Sequence, residues 1–140
     1  MAITSTNHNP AGIARFATGK FVDTGTVKKS ILNLGWKPRY FKLWDVSATE
    51  LSFEVTDTMT ATNGFKVAAA DQTLETSAMP SLIENYDSGT VDTWTVYEGN
   101  QAAADTDGSR LNTANELFTG VSIPAALIAT TVQAHWIAIG

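Results

Sequence analysis

Hydrophobic and polar residues alternate with a period of two along much of this chain, the pattern of strands with one buried and one wet face. It is clearest from Glu50 to Val55, where Leu51, Phe53 and Val55 point one way and Ser52 and Glu54 the other. Upstream, Arg39-Tyr-Phe-Lys-Leu-Trp44 is rich in aromatic residues, and the link Asp45-Val-Ser-Ala-Thr49 suits a turn. The two runs predict an antiparallel hairpin over 39–55. Within its first strand Tyr40, Lys42 and Trp44 share one face, opposite Phe41 and Leu43. Bulky groups on both faces predict cover on both, from a second sheet or from another subunit.

The rest of the chain is punctuated in the same way. Residues 15–22 and 26–34 read as strands, the first interrupted at Gly19 and the second ended by Gly35. Asn63-Gly64 is a turn signal, followed by short strands at 65–67 and 73–76. Residues 78–90 read as a loop, 91–97 as a strand, and 98–115 as the most polar and least periodic stretch. Helix formers after Pro124 predict one or two helical turns over 124–129. The closing run 131–140 is too apolar to lie exposed and predicts a central strand. About eight short strands with at most one short helix predict an all-β fold, an antiparallel β-sandwich of jelly-roll-like form. Residues 1–12 predict a flexible N-terminal arm, and residues 13–140 a single sandwich domain.

Composition narrows the chemistry. The 140 residues include no cysteine, which excludes disulfides, thiolate metal sites and cysteine nucleophiles. That fits synthesis in a reducing compartment such as a cytoplasm. The first ten residues lack the basic and apolar regions of a secretory signal, and no run approaches the roughly 18 apolar residues of a membrane span. No membrane is expected as a partner.

The net charge of −5 is unevenly distributed. Residues 1–44 carry seven basic groups against Asp23 alone, whereas residues 45–140 carry Lys66 and Arg110 against 13 acids. Basic and acidic strands could pair across a sheet. Alternatively, a basic side could dock on an acidic surface. Nucleic acid is a poor candidate for that surface, because the pI is about 4.8 and the basic residues form no dense run.

Residues that could carry catalysis are few. Of the two histidines, His8 lies in the expected arm and His135 beside Trp136 in the last strand, so neither is set between a serine and a carboxylate. Nucleophile elbow, phosphate loop and His-Glu-x-x-His motif are all missing. Asp105 and Asp107 could serve as paired carboxylates in a small hydrolase, but 140 residues leave little room for a substrate cleft. Asp105, Asp107, Ser109 and Glu116 have the spacing of a calcium loop, which fails at its sixth position, where Arg110 replaces the required glycine. No enzyme activity, metal or cofactor is expected. Trp36, Trp44, Trp94 and Trp136 could form a sugar-stacking platform, or serve as core and interface residues.

Four segments together carry a resemblance: Gly19-Lys-Phe21, Leu34-Gly-Trp-Lys-Pro-Arg-Tyr-Phe-Lys-Leu43, Gln72-Thr-Leu-Glu-Thr-Ser77 and Ala134-His-Trp-Ile-Ala-Ile-Gly140. They cover about a third of the chain, which resembles small structural proteins of tailed bacteriophages, the head-decoration or cement proteins. The resemblance implies a virion protein made in the host cytoplasm. It would bind the major capsid protein on the capsid exterior as a homotrimer or other small oligomer, and stiffen the shell. No catalytic residue is implied. In that setting Arg15, Lys20, Lys28 and Lys29 are expected to face the capsid, and Tyr40, Trp44 and Trp136 to bury against sister subunits. The acidic segment 78–116 would then point outward. The alternative is a tail, fibre or baseplate component that binds host-surface glycans.

Overall fold

The computed structural model describes residues 15–22, 29–45, 52–60, 62–68, 71–75, 79–98, 109–127 and 133–140. These form eleven strands and one 3₁₀ turn, Ala125–Leu127. One sheet has six strands in the order β1 (Phe16–Val22), β11 (Gln133–Ile139), β3 (Tyr40–Asp45), β4 (Ser52–Thr56), β5 (Gly64–Ala68) and β6 (Asp71–Glu75). The other has five, in the order β7 (Ser81–Asp87), β10 (Leu117–Ile123), β2 (Lys29–Asn33), β8 (Trp94–Tyr97) and β9 (Ser109–Leu111). The expected arm over residues 1–12 and the expected strand residues 26–28 lie outside the described residues.

The two sheets pack face to face as an all-β sandwich. Phe41, Leu43, Phe53, Val55, Ala134, Trp136 and Ala138 of the six-stranded sheet meet Leu32, Tyr97, Val121 and Ile123 of the other, all buried. The hairpin read at 39–55 is β3–β4, with Leu43 opposite Phe53 and Phe41 opposite Val55 on the inner face. The C-terminal run is indeed interior, paired to β1 on one side and β3 on the other.

Three expectations need correction. The described residues form eleven strands, not about eight, because 81–87, 109–111 and 117–123, which the hydrophobic pattern does not mark as strands, form β7, β9 and β10. The pairing is not wholly antiparallel, since β2 and β8 run parallel, Lys29 beside Trp94 and Leu32 beside Tyr97. Consecutive strands β3 to β6 form a meander, a simpler order than a jelly roll.

Two of these strands, β7 and β10, are obscured because the five-stranded sheet carries apolar clusters on both faces. In β7, Leu82 packs towards the inter-sheet core while its neighbour Ile83 belongs to a second cluster. With adjacent apolar residues directed to opposite faces, the alternation that identifies a strand vanishes. In β10 a register shift between Phe118 and Gly120 breaks the period again. Gly120 has φ +156°, and a Cβ there would run into the Leu32 carbonyl, so the bulge depends on glycine.

That second cluster comprises Ile31, Ile83, Trp94, Val96 and Phe118, all buried on the outer side of the five-stranded sheet. Charged and polar side chains lie over it. The Lys29 ammonium sits 5.0 Å from the Trp94 ring centroid and the Arg110 guanidinium 5.6 Å from that of Phe118. Tyr86 meets Trp94 edge-on at 5.8 Å. Arg110 pairs with Glu116 and, at 3.1 Å, with Glu98, which also accepts from Asn33 at 3.1 Å. Beside this cover, buried Asn112 accepts from the Trp94 N–H at 2.8 Å and donates to the Thr90 carbonyl at 2.7 Å.

Candidate functional site: the outer face of the six-stranded sheet

Alternation fixes what the six-stranded sheet presents outward. Inner residues such as Phe41, Trp136 and Ala17 pack on the core, so their neighbours along β3, β11 and β1 point away from it. The registers form cross-strand rows from Phe16 through Ile139 to Tyr40, and from Lys20 through His135 to Trp44. They continue the row from Lys42 through Glu54 and Phe65 to Leu74. Among the described residues nine large hydrophobic side chains are exposed, and five belong to this one face: Phe16, Leu74, Ile139, Phe65 and Trp44. Phe16 and Leu74 are 62% and 60% exposed. Scattered surface hydrophobes are ordinary; a concentration on one side of one sheet marks a contact surface.

Polar groups are built into the same face. The Tyr40 hydroxyl donates to Glu54 Oε1 at 2.5 Å. Desolvation by burial, reinforced by that bond and the Glu54 charge, pushes the Tyr40 pKa up to about 12, so the phenol stays protonated as a donor. The Lys42 ammonium lies 5.0 Å from the Trp44 ring centroid, in register with Glu54. Lys20 and exposed His135 stand opposite one another on β1 and β11. The arrangement supplies flat apolar area with fixed cationic points, and is suited to binding.

The residues expected to face a capsid do not form one surface. Lys20 belongs to this outer face, Arg15 is exposed just before β1, and Lys29 lies on the opposite side of the sandwich over Trp94. Lys28 lies outside the described residues. Of the expected subunit-contact residues, Tyr40 and Trp44 are on the outer face. Trp136 is not: it is 4% exposed and stacked on Phe41 inside the core, at 6.4 Å between ring centroids. The four tryptophans cannot form one sugar platform. Trp44 is on one outer face, Trp94 is buried on the other side, Trp136 lies in the core, and Trp36 packs against that core.

Sequence reasoning missed Phe16, Phe65, Leu74 and Ile139. A signal for them existed, since each is in phase with Tyr40 and Trp44 once the registers through β1, β5 and β6 are drawn.

The remaining chemical candidates fare as follows. In the calcium-like spacing, Arg110 occupies the position where glycine was required and binds Glu116, the intended twelfth ligand, through both guanidinium ends. With Thr113 also donating, the Glu116 carboxyl is held down at about 2. Asp105 and Asp107 lie outside the described residues. Among the described residues no three His, Asp or Glu side chains converge as a metal site, and no helix is long and apolar enough to cross a membrane. A polar cleft of about 160 Å³ lies between the end of β4, the 57–63 turn and the start of β7. Its Asp57 is held by Arg39 at 2.7 Å, an ion pair joining the basic and acidic parts of the chain. No protein-family model, curated protein or solved structure matches the chain.

Proposed function

We propose that this chain is a non-enzymatic structural protein of a tailed bacteriophage particle, a decoration or cement protein. It seats on the capsid exterior as a homo-oligomer and stabilises the shell. The observation that carries this reading is the outer face of the six-stranded sheet, where most of the exposed large hydrophobic residues gather around Lys20, Lys42 and His135. A protein that seats on a lattice needs broad, rigid, weakly adhesive area more than a cleft. Sheet-borne side chains supply it at little cost in ordering entropy. Lysines set among apolar groups suit an acidic capsid surface, and many copies turn weak single contacts into firm attachment.

The test is co-sedimentation of the purified protein with undecorated capsids of the phage that encodes it, across a salt titration. The protein is expected to pellet with the shells and to be released progressively as salt screens the lysines. Protein left in the supernatant at low salt overturns the reading. Binding to host-surface saccharides on a glycan array, with no pelleting, would establish the tail or fibre alternative.

A further inference from the structure

Lys42 stands in the middle of the open face, within the cross-strand row of Thr18, Ile137, Lys42, Glu54, Phe65 and Leu74. Its own strand places Tyr40 and Trp44 on either side of it. Glu54 is directly opposite on β4, and side chains so placed leave the backbone about 5 Å apart, near enough for an ion pair. The two charges do not pair. The Lys42 ammonium lies over the Trp44 ring at 5.0 Å from its centroid, and Glu54 Oε1 accepts from the Tyr40 hydroxyl at 2.5 Å. Each leans towards an aromatic neighbour, in opposite directions along β3. Arg39 and Arg110, by contrast, each hold a carboxylate. Among the described residues no carboxylate meets the Lys42 ammonium.

Water solvates that ammonium while the face is open. Once an apolar surface covers Trp44, Phe65 and Ile139, the charge loses its water, and an aromatic ring does not replace a counter-ion. Glu54 could turn to Lys42 only by leaving the Tyr40 hydroxyl without its acceptor beneath the partner. The counter-ion therefore has to come from outside.

We propose that the partner seated on this face supplies a carboxylate to Lys42, set in an apolar surround that covers Trp44 and Phe65. The inference rests on the proposed function, in which the partner is the capsid exterior. It defines the capsid's contact as an Asp or Glu side chain flanked by apolar residues. Lys42 then selects the docking site, because an apolar patch without the acid strands its charge. Trp44 steadies the ammonium and Tyr40 holds Glu54 away from it, which keeps the cation uncommitted until the acid arrives.

Pelleting with undecorated capsids at fixed low salt tests this, with urea unfolding measured on every variant. Lys42→Met keeps an apolar stem, leaves the incoming carboxylate unpaired, and is expected to weaken binding about thirtyfold or more. Lys42→Arg keeps a cation over Trp44 and is expected to stay within about threefold of wild type. Glu54→Gln preserves an acceptor for Tyr40 but removes a negative charge beside the incoming acid, and is expected to tighten binding about two- to fivefold. Capsids whose surface carboxyls have been converted to neutral amides are expected to bind wild type no better than native capsids bind Lys42→Met. Combining the two changes should add less than their separate losses. The amidated capsids keep the test decisive if Lys42→Met fails to fold. Wild-type binding by a folded Lys42→Met variant, weakened binding by Glu54→Gln, or undiminished binding to amidated capsids overturns the inference and leaves the proposed function standing. Wild-type protein that stays in the supernatant with native capsids overturns the proposed function, and this inference with it.

Discussion

Both outer faces of this sandwich are apolar, yet the protein treats them differently. Outside the five-stranded sheet, Ile31, Ile83, Trp94, Val96 and Phe118 are buried beneath Lys29, Tyr86 and the Arg110–Glu98–Glu116 cluster. Outside the six-stranded sheet, Phe16, Phe65, Leu74, Ile139 and Trp44 remain exposed. Charged side chains with long apolar stems can close a hydrophobic face; over the five-stranded sheet they help to bury a whole cluster, whereas over the six-stranded sheet Lys42 lies against Trp44 and leaves it exposed. The closed face is thereby part of the folding core. The open face contributes little to folding and is available for contact.

The contrast can be broken by substitution. Phe118→Ala, in the closed cluster, is expected to destabilise by about 3–5 kcal/mol in urea unfolding; a loss under about 1 kcal/mol would show that the cluster is no second core. Gly19→Ala comes next. It forces a methyl into the Trp136 ring beneath the open face and is expected to cost about 1–3 kcal/mol by the same measurement.

Glu116→Gln probes the polar cover, and should cost about 1–2 kcal/mol at neutral pH. The Glu116 carboxyl is depressed from 4.5 to about 2, chiefly by its hydrogen bonds from Arg110. Its stabilisation is therefore complete above about pH 4.5 and lost as pH falls through 2, because the unfolded chain binds the proton first. Wild type and Glu116→Gln should converge in stability across that window. A constant gap would mean that the cost lies elsewhere than in the charge. Smallest of all, Leu74→Ser and Phe65→Ser on the open face should each change stability by no more than about 0.5 kcal/mol.

The sequence made the six-stranded sheet more legible than the other, for a reason rooted in the same contrast. Strands β3 and β4 bury one face only, so Phe41, Leu43, Phe53 and Val55 alternate cleanly with Tyr40, Lys42 and Glu54. Strands β7 and β10 send apolar residues to both faces, and Leu82-Ile83 or Phe118 with Val121 display no period. The parallel entry of β8 beside β2 depends on tertiary contacts and has no local mark. Only part of the candidate surface was likewise readable. Tyr40 and Trp44 follow from alternation within one strand, whereas Phe16, Phe65 and Leu74 join them only through registers across five neighbouring strand pairs. Trp136 was misassigned because bulk alone does not reveal which face of a strand is inward; Gly19, lying against its ring, was the missing clue.

The central claim, that the uncovered side of the six-stranded sheet is the working surface, is tested most directly by one double variant, Trp44→Ala with Leu74→Ser. Its unfolding midpoint and its pelleting with undecorated capsids should be measured together. The predicted result is near-wild-type stability with capsid affinity reduced about thirtyfold or more, as expected when an interface aromatic anchor is removed. Wild-type pelleting by a stably folded variant would contradict it.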